Sequence, residues 1–276
     1  MSAHELLDAG DGRRLERFGE LVVDRPTPAA EEPRRDPDAW ASADLRFDRY
    51  AGWSSVADDE PKPWLVTDGD LQLELRPTET GQLGLFPEQS LNRAWVRAAV
   101  EELGGEPRVL NLFAYTGAMT LAAVSARAAV AHVDGSRPAV AWARRNAELS
   151  GLADRPIRWL VDDVETFVGR EIRRDRRYDA VVLDPPSYGH GARGATWRLE
   201  ERLDSLLDGC AELTGDDPAF ALLTAHTPGF GPERLADALA DAFGRRPAEV
   251  EVGELGLRAR SGAQLRLGAW ARIIRG

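Results

Sequence analysis

The chain has 276 residues but only one lysine, Lys62, and one cysteine, Cys210. A single cysteine excludes an internal disulfide and a cysteine-based zinc site. The four histidines, His4, His132, His190 and His226, are too scattered to suggest a metal cluster, so no metal is expected. No stretch approaches about 18 uninterrupted apolar residues, and the opening MSAHELLDAGDGRRLERFGE lacks the apolar core of a secretory signal. The expectation is a cytoplasmic protein that does not enter a membrane. Positive charge is in deficit, with 35 Lys+Arg against 46 Asp+Glu and a net charge of -11, so the molecule as a whole repels polyanions. A nucleic-acid partner would need a local basic face. With 43% hydrophobic and 29% charged residues the composition is that of a packed protein, neither disordered nor collagen-like. The length suits one large domain plus a small appendage.

The chain divides in two. Residues 14–35 mix short apolar pieces such as LVV with the run RPTPAAEEPRRDPDAW, which cannot make a long helix and reads as extended or loop. WLVTDGDLQLELRPT reads as two strands joined at Asp68-Gly69-Asp70. These define a small β-rich module over 1–84. From there to 276, helical and fully apolar segments alternate. RVLNLF, VAHVD, IRWLV, YDAVVLD and AFALLTA read as strands. Helices are expected around Leu91–Leu103, in GAMTLAAVSAR, PAVAWARRNAEL, VETFVGREIRR and LEERLDSLLDGCAEL, and over PERLADALADAF. That alternation implies an α/β domain with a mixed, mostly parallel sheet and helices on both faces. The last two segments, EVEVGELGL and QLRLGAWARII, alternate apolar and polar residues as antiparallel strands do. The sheet edge they form could pair with another subunit, though nothing demands it.

In an open α/β sheet a ligand sits beyond the carboxyl ends of the strands, here at the loop Ala114-Tyr115-Thr116-Gly117. One glycine is too few for the G-x-G-x-x-G of a dinucleotide site, and no phosphate-binding P-loop occurs. An NAD-dependent oxidoreductase is therefore disfavoured, and a nucleoside without phosphates, such as S-adenosylmethionine, suits the loop. Asp134 ends the second strand, where a carboxylate can accept both ribose hydroxyls; it could also cap the following helix. Asp162 and Asp163 precede the run from Val164, so one can reach an adenine amino group while the other caps; Asp163 is preferred for adenine. The fourth strand ends in Asp184-Pro185-Pro186-Ser187-Tyr188. Two prolines fix a turn without two N–H groups, presenting its carbonyls and the Asp184 carboxylate as acceptors for an amine, with Tyr188 available to stack on a flat ring.

The segments GLFPEQSLNR, VLNLFAYTGAMTLAA, HVDGSRPAVAWARRNAELSGL, WLVDDVETFV and YDAVVLDPPSYG, in this order, resemble class I S-adenosylmethionine-dependent methyltransferases. Within them, they resemble the subfamily of bacterial large-subunit ribosomal RNA cytosine-C5 and guanine-N7 methyltransferases. The resemblance implies a Rossmann-like methyltransferase domain with the donor across Phe113, Tyr115, Thr116 and Gly117, its ribose at Asp134 beside Ser136, and its adenine at Asp163 and Val164. It places the donor's methionine end at Phe86, Gln89 and Arg93, and a catalytic substrate pocket at Asp184, Pro185, Pro186 and Tyr188. The implied activity is methylation of a nitrogen of an RNA base, ribosomal RNA foremost. A small-molecule or protein methyltransferase and a non-catalytic binding scaffold are the alternatives.

The chain departs from that subfamily twice. Where the cytosine-C5 branch carries a cysteine nucleophile, it reads Thr224-Ala225-His226-Thr227. Cys210 is no substitute, because it shares a helical face with Leu203, Leu206, Leu207 and Leu213 and reads as core. In place of the ribosomal enzymes' RNA-binding module stands the shorter, acidic segment 1–80. Arg170, Arg173, Arg174, Arg176 and Arg177 form a basic run that fits a solvated helix end better than an RNA contact. Arg193, in the loop HGARGATWRLE, and His226 are the expected substrate contacts, His226 also as a proton acceptor.

Overall fold

The computed structural model describes residues 4–56, 62–190, 196–215 and 217–275. Its contacts fall into two units, Met1–Ser90 with Gly256–Leu267, and Leu91–Leu255 with Gly268–Gly276.

The first unit holds a five-stranded sheet of β1 (His4–Gly10), β2 (Arg13–Phe18), β3 (Leu21–Pro26), β4 (Leu45–Asp48) and β5 (Gly52–Ser55), in that order. It also holds a hairpin of β6 (Trp64–Asp68) and β7 (Leu71–Leu75), the expected pair. Of the stretch read as extended or loop, residues 14–18 and 21–26 are strand, and the proline-rich part from 27 to 35 is turn and coil. The alternation of those strands was obscured because the sheet buries charge. Glu16 is fully buried, with the Arg25 guanidinium at 2.6 Å, the Arg14 guanidinium at 3.2 Å and the His4 ring at 2.9 Å. Burial pushes the Glu16 carboxyl up, but the two guanidinium groups and His4 outweigh it and hold the group well below its ordinary 4.5. Asp24 is also buried, with the Arg13 guanidinium at 2.6 Å and the Arg46 guanidinium at 2.8 Å.

The second unit contains α1 (Ser90–Leu103), β8 (Arg108–Leu112), α2 (Ala118–Ser125), β9 (Ala129–Asp134), α3 (Arg137–Leu149), β10 (Ile157–Val161), α4 (Val164–Arg173) and β11 (Ala180–Leu183). After β11 come the short pair β12 (Tyr188–His190) and β13 (Thr196–Arg198), then α5 (Leu199–Thr214), β14 (Phe220–Ala225) and α6 (Pro232–Ala242). The last strands, β15 (Glu251–Arg258) and β16 (Gln264–Ile274), run across both units. The sheet order is β10-β9-β8-β11-β14-β16-β15, parallel through β14, with β16 antiparallel to β14. The expected mixed, mostly parallel sheet is therefore present.

Period-two alternation divides the central strands between two cores. Leu110, Leu112, Val181, Leu183, Ala221 and Leu223 face Phe167, Leu203, Leu206 and Leu235 of α4, α5 and α6. Val109, Ala180, Val182, Phe220 and Leu222 face Val96, Val100 and Val124 of α1 and α2. A strand buried on both faces has few polar positions, which is why these runs were legible as parallel strands. Cys210 lies in the first of these cores, and burial pushes its thiol up to about 12, so it is an inert core residue.

Candidate functional site

Strand order reverses beside β8, so the loop that follows it opens on the crevice where α/β sheets bind ligands. Phe113 (φ 55°) and Tyr115 (φ 48°) are both left-handed there, a conformation that costs a side-chain-bearing residue roughly 1–2 kcal/mol. The surroundings fix it. Ala114 N–H donates to Val133 O at 3.1 Å, Tyr115 N–H to Asp134 Oδ2 at 2.8 Å, and the buried Asn146 amide to Thr116 O at 2.9 Å. Gly117 (φ 86°) completes the turn, and a Cβ there would lie 2.9 Å from that of Ala143. Two left-handed non-glycine residues within three positions, over-determined in this way, are strain of the kind that clusters at functional sites.

Beneath the loop runs a buried polar chain that the sequence reading missed. Asn111 donates to Thr120 at 2.8 Å, Thr120 meets His132 Nδ1 at 2.9 Å, and the His132 ring packs on Trp159 at 4.8 Å. Burial drives His132 down to about 3, so the ring is neutral at physiological pH.

Asp134 accepts Tyr115 N–H on Oδ2 and Ser136 N–H on Oδ1, each at 2.8 Å. Burial raises its carboxyl above 3.8 and outweighs the two backbone hydrogen bonds. Two hydroxyl donors would satisfy the remaining acceptor capacity of this part-buried carboxylate, which is what a ribose diol supplies. Ser136 caps α3 through Oγ, accepting Ala139 N–H at 3.3 Å. Asp163, the residue preferred for adenine, caps α4 through Oδ1, accepting Thr166 N–H at 2.9 Å, while Asp162 pairs with Arg170. Val164 opens α4 and is buried. Arg93 is buried on α1, so it is no solvated surface arginine. Phe86 and Gln89 belong to the first unit, at the turn Pro87–Gln89, where Gln89 is buried.

The carboxyl ends of β11 and β14 carry the second cluster. Asp184 Oδ1 accepts the Thr224 hydroxyl at 2.6 Å and lies 3.6 Å from His226 Nε2. Ser187 and Thr227 meet through their hydroxyls at 2.7 Å, joining the two loops. Pro185 is buried, whereas Pro186 and Tyr188 are exposed, Tyr188 at 55%. The loop HGARGATWRLE contributes to the β12–β13 pair, in which Gly189 faces Trp197. Trp197 is buried, donates Nε1–H to Pro186 O at 2.8 Å and packs on Phe113 at 5.1 Å. It thereby ties the proline turn to the left-handed loop, a role its place in a glycine-rich segment did not reveal. Arg193 lies outside the described residues. Three of the five arginines of the basic run are paired: Arg170 holds Asp162, Arg177 holds Asp175, and Arg174 shares Glu171 with Arg158 of β10. Among the described residues no group of acidic, histidine or cysteine side chains could hold a metal, and no helix is long and apolar enough to cross a membrane.

Residues 14–240 match the sequence profile of the S-adenosylmethionine-dependent methyltransferase family. Among curated relatives, ribosomal RNA large subunit methyltransferase K of Neisseria meningitidis is 32% identical over 136 residues, covering 49% of this chain and 37% of the relative. Ribosomal RNA large subunit methyltransferase I of Alteromonas mediterranea is 27% identical over 194 residues, covering 66% and 49%. The matches span 14–49% of the length of these curated relatives. Of solved structures, an S-adenosylmethionine-dependent methyltransferase of Agrobacterium tumefaciens superposes with a TM-score of 0.93 at 32% identity, covering 100% of this chain and 91% of that one. A methyltransferase complexed with S-adenosylhomocysteine shares the fold, with a TM-score of 0.75 at 17% identity, covering 98% and 75%.

Proposed function

Because the chain belongs to the S-adenosylmethionine-dependent methyltransferase family, we propose that it transfers the donor's methyl group to a nitrogen of an RNA base, with large-subunit ribosomal RNA as the substrate and the cytoplasm as its place of action. The observation that carries this is Asp134, a part-buried carboxylate held by two backbone N–H groups against a left-handed loop at the reversal of strand order. Phe113, Tyr115, Thr116 and Gly117 form the donor's floor, Asp134 takes its ribose with Ser136 fixing the carboxylate, and Asp163 and Val164 take its adenine. Arg93 is charged and withdrawn from water, as a partner for the donor's carboxylate would be.

The donor brings a methyl group already activated on a sulfonium, so the protein supplies position, desolvation and a destination for a proton. Asp184 and the Pro185 carbonyl hold the acceptor's N–H groups, since Pro186 O is occupied by Trp197. Tyr188, exposed at the rim, stacks on the acceptor ring; a base in a duplex must be unstacked to reach it. The relatives' names favour RNA. The net charge of -11 favours instead a small or protein acceptor, which needs no polyanion to approach.

Calorimetric titration with S-adenosylmethionine and S-adenosylhomocysteine, with NAD as control, tests the donor site. Micromolar binding that weakens at least tenfold in Asp134→Ala, about 1.4 kcal/mol, is expected. No binding of either form would overturn the methyltransferase reading and favour the scaffold. Transfer of labelled methyl into an unmodified large-subunit ribosomal RNA transcript, against small aromatic amines, then decides the acceptor.

A further inference from the structure

We propose that His132 is a positioning residue for the methyl donor: Asn111 and Thr120 hold its ring with the hydrogen on Nε2, and the ring, set beneath the loop 113–117, keeps that loop in the left-handed shape that receives the donor. The inference rests on the placement of the donor over this loop proposed above, and adds to it the buried group that shapes the loop.

The placement follows from the register of the sheet. In the parallel ladder β8-β9-β10, Asn111 pairs with His132 and His132 with Trp159, so the three side chains form one row across the sheet. The row shares its face with Val109 and Val130, toward α1 and α2, and α2 supplies Thr120. Two residues further along β9, the same face carries Asp134, whose carboxylate accepts Tyr115 N–H at 2.8 Å. His132 and Asp134 therefore serve the same loop. A Cβ on Gly117 would lie 3.6 Å from His132 Cε1, the ring atom between the two nitrogens. Trp159 packs against the ring at 4.8 Å and backs it.

The direction of the hydrogen bonds fixes the tautomer. Asn111 Nδ2 donates to Thr120 Oγ1 at 2.8 Å, so the Thr120 hydroxyl hydrogen turns to His132 Nδ1 at 2.9 Å and the ring's own hydrogen is on Nε2. Nε2 is buried, and among the described residues no acceptor meets it in hydrogen-bond geometry. A position that only filled space would be served by an apolar residue, as at Val130 and Val133, and a buried N–H without an acceptor needs a reason. The Tyr115 backbone supplies one, because it acts on the ring as an acceptor that favours its N–H. Tyr115 is left-handed, at φ 48°, and is thus held from two sides, its N–H by Asp134 and its carbonyl by the His132 ring. Seating the donor on the loop closes the second contact, as hydrogen bonds at functional sites commonly tighten only in the complex. Without the ring the loop spends less time in the receptive shape, and apparent donor affinity falls by that fraction.

Two measurements test the inference. The first is NMR of the imidazole nitrogens in the full chain, with His132 assigned through its contacts to the Trp159 indole. The expected result is the Nε2–H tautomer throughout the range from about pH 5 to pH 8, with the Nε2 proton moving downfield as S-adenosylhomocysteine saturates the protein. The Nδ1–H tautomer, or an Nε2 signal that the ligand leaves unmoved, would overturn it. The second is calorimetric titration of His132→Phe, His132→Asn and His132→Gln with S-adenosylhomocysteine, with thermal melting as the control for folding. Phenylalanine keeps a ring without an N–H, asparagine places an amide where Nδ1 stood, and glutamine places one where Nε2 stood. Kd is expected to rise about tenfold in His132→Phe and His132→Asn and to stay within about threefold of wild type in His132→Gln, which loses the ring but keeps the donor. Wild-type affinity in His132→Phe, or a loss in His132→Gln equal to that in His132→Asn, would overturn the inference. Where a variant fails to fold, the tautomer and its response to ligand in the wild type decide. Failure of the wild type to bind S-adenosylhomocysteine would instead defeat the donor site itself.

Discussion

Glu16 in the first unit and Asp134 in the second are both carboxylates withdrawn from water, and they are held in opposite ways. Glu16 is enclosed by Arg14, Arg25 and His4, and its carboxyl is held well below 4.5. Asp134 has two backbone N–H donors and no described ion pair, and burial raises its carboxyl above 3.8. The first arrangement satisfies its charge within the fold. The second leaves the charge to be satisfied from outside, which is the mark of a site rather than of a core.

The sharpest break in this comparison is Glu16→Gln, which strands two buried guanidinium groups. It is expected to lower stability by about 3–5 kcal/mol in urea denaturation. The pH dependence has opposite signs at the two residues. The Glu16 contribution is fully present above the unfolded value near 4.5 and is lost as pH falls through the lower folded value. Ionising Asp134 opposes folding, so its effect appears as pH rises from 3.8 through the raised folded value. Asp134→Asn is therefore expected to flatten the loss of stability over that window, read from urea midpoints at each pH, while weakening donor binding.

Gly117→Ala comes next. Its φ of 86° and the 2.9 Å approach to Ala143 are expected to cost about 1–3 kcal/mol and to weaken S-adenosylhomocysteine binding, read by calorimetry with thermal melting as control. Trp197→Phe keeps a ring against Phe113 but deletes the hydrogen bond to Pro186 O, a loss of about 0.5–1.5 kcal/mol. Its expected signature is a several-fold rise in acceptor KM with donor affinity nearly unchanged. The smallest effect is expected from Arg174→Ala with Arg177→Ala. Because Glu171 and Asp175 already pair with these two, RNA affinity should change less than about twofold at physiological salt.

The same contrast explains what could be read in advance. β8, β11 and β14 were legible because both of their faces are apolar. That Asp134 and the Asp184-Pro185-Pro186 turn stand at the ends of β9 and β11 was legible because the apolar runs before them mark where those strands stop. The strands β1 to β3 were not, since Asp8, Glu16, Asp24 and Arg25 occupy interior positions that only partners distant in sequence make habitable. A register shift between Leu6 and Asp8 interrupts the alternation further. In the site, Asp163 shows the limit of motif reading: the carboxylate preferred for adenine also caps α4, and which of two adjacent aspartates caps is fixed by backbone angles that spacing does not encode. Trp197, Thr224 and the Asn111-Thr120-His132 chain act through contacts between elements, for which a single sequence carries no local signal.

The most direct test of the central claim is the pH dependence of S-adenosylhomocysteine affinity between pH 4 and pH 7, measured by calorimetry for the wild type and Asp134→Asn. If a ribose diol satisfies the Asp134 carboxylate, its pKa falls on binding, and wild-type affinity rises with pH through the free protein's Asp134 pKa, then levels off. Asp134→Asn should bind more weakly and show no such rise. Equal affinity and the same pH profile in both proteins would contradict the account.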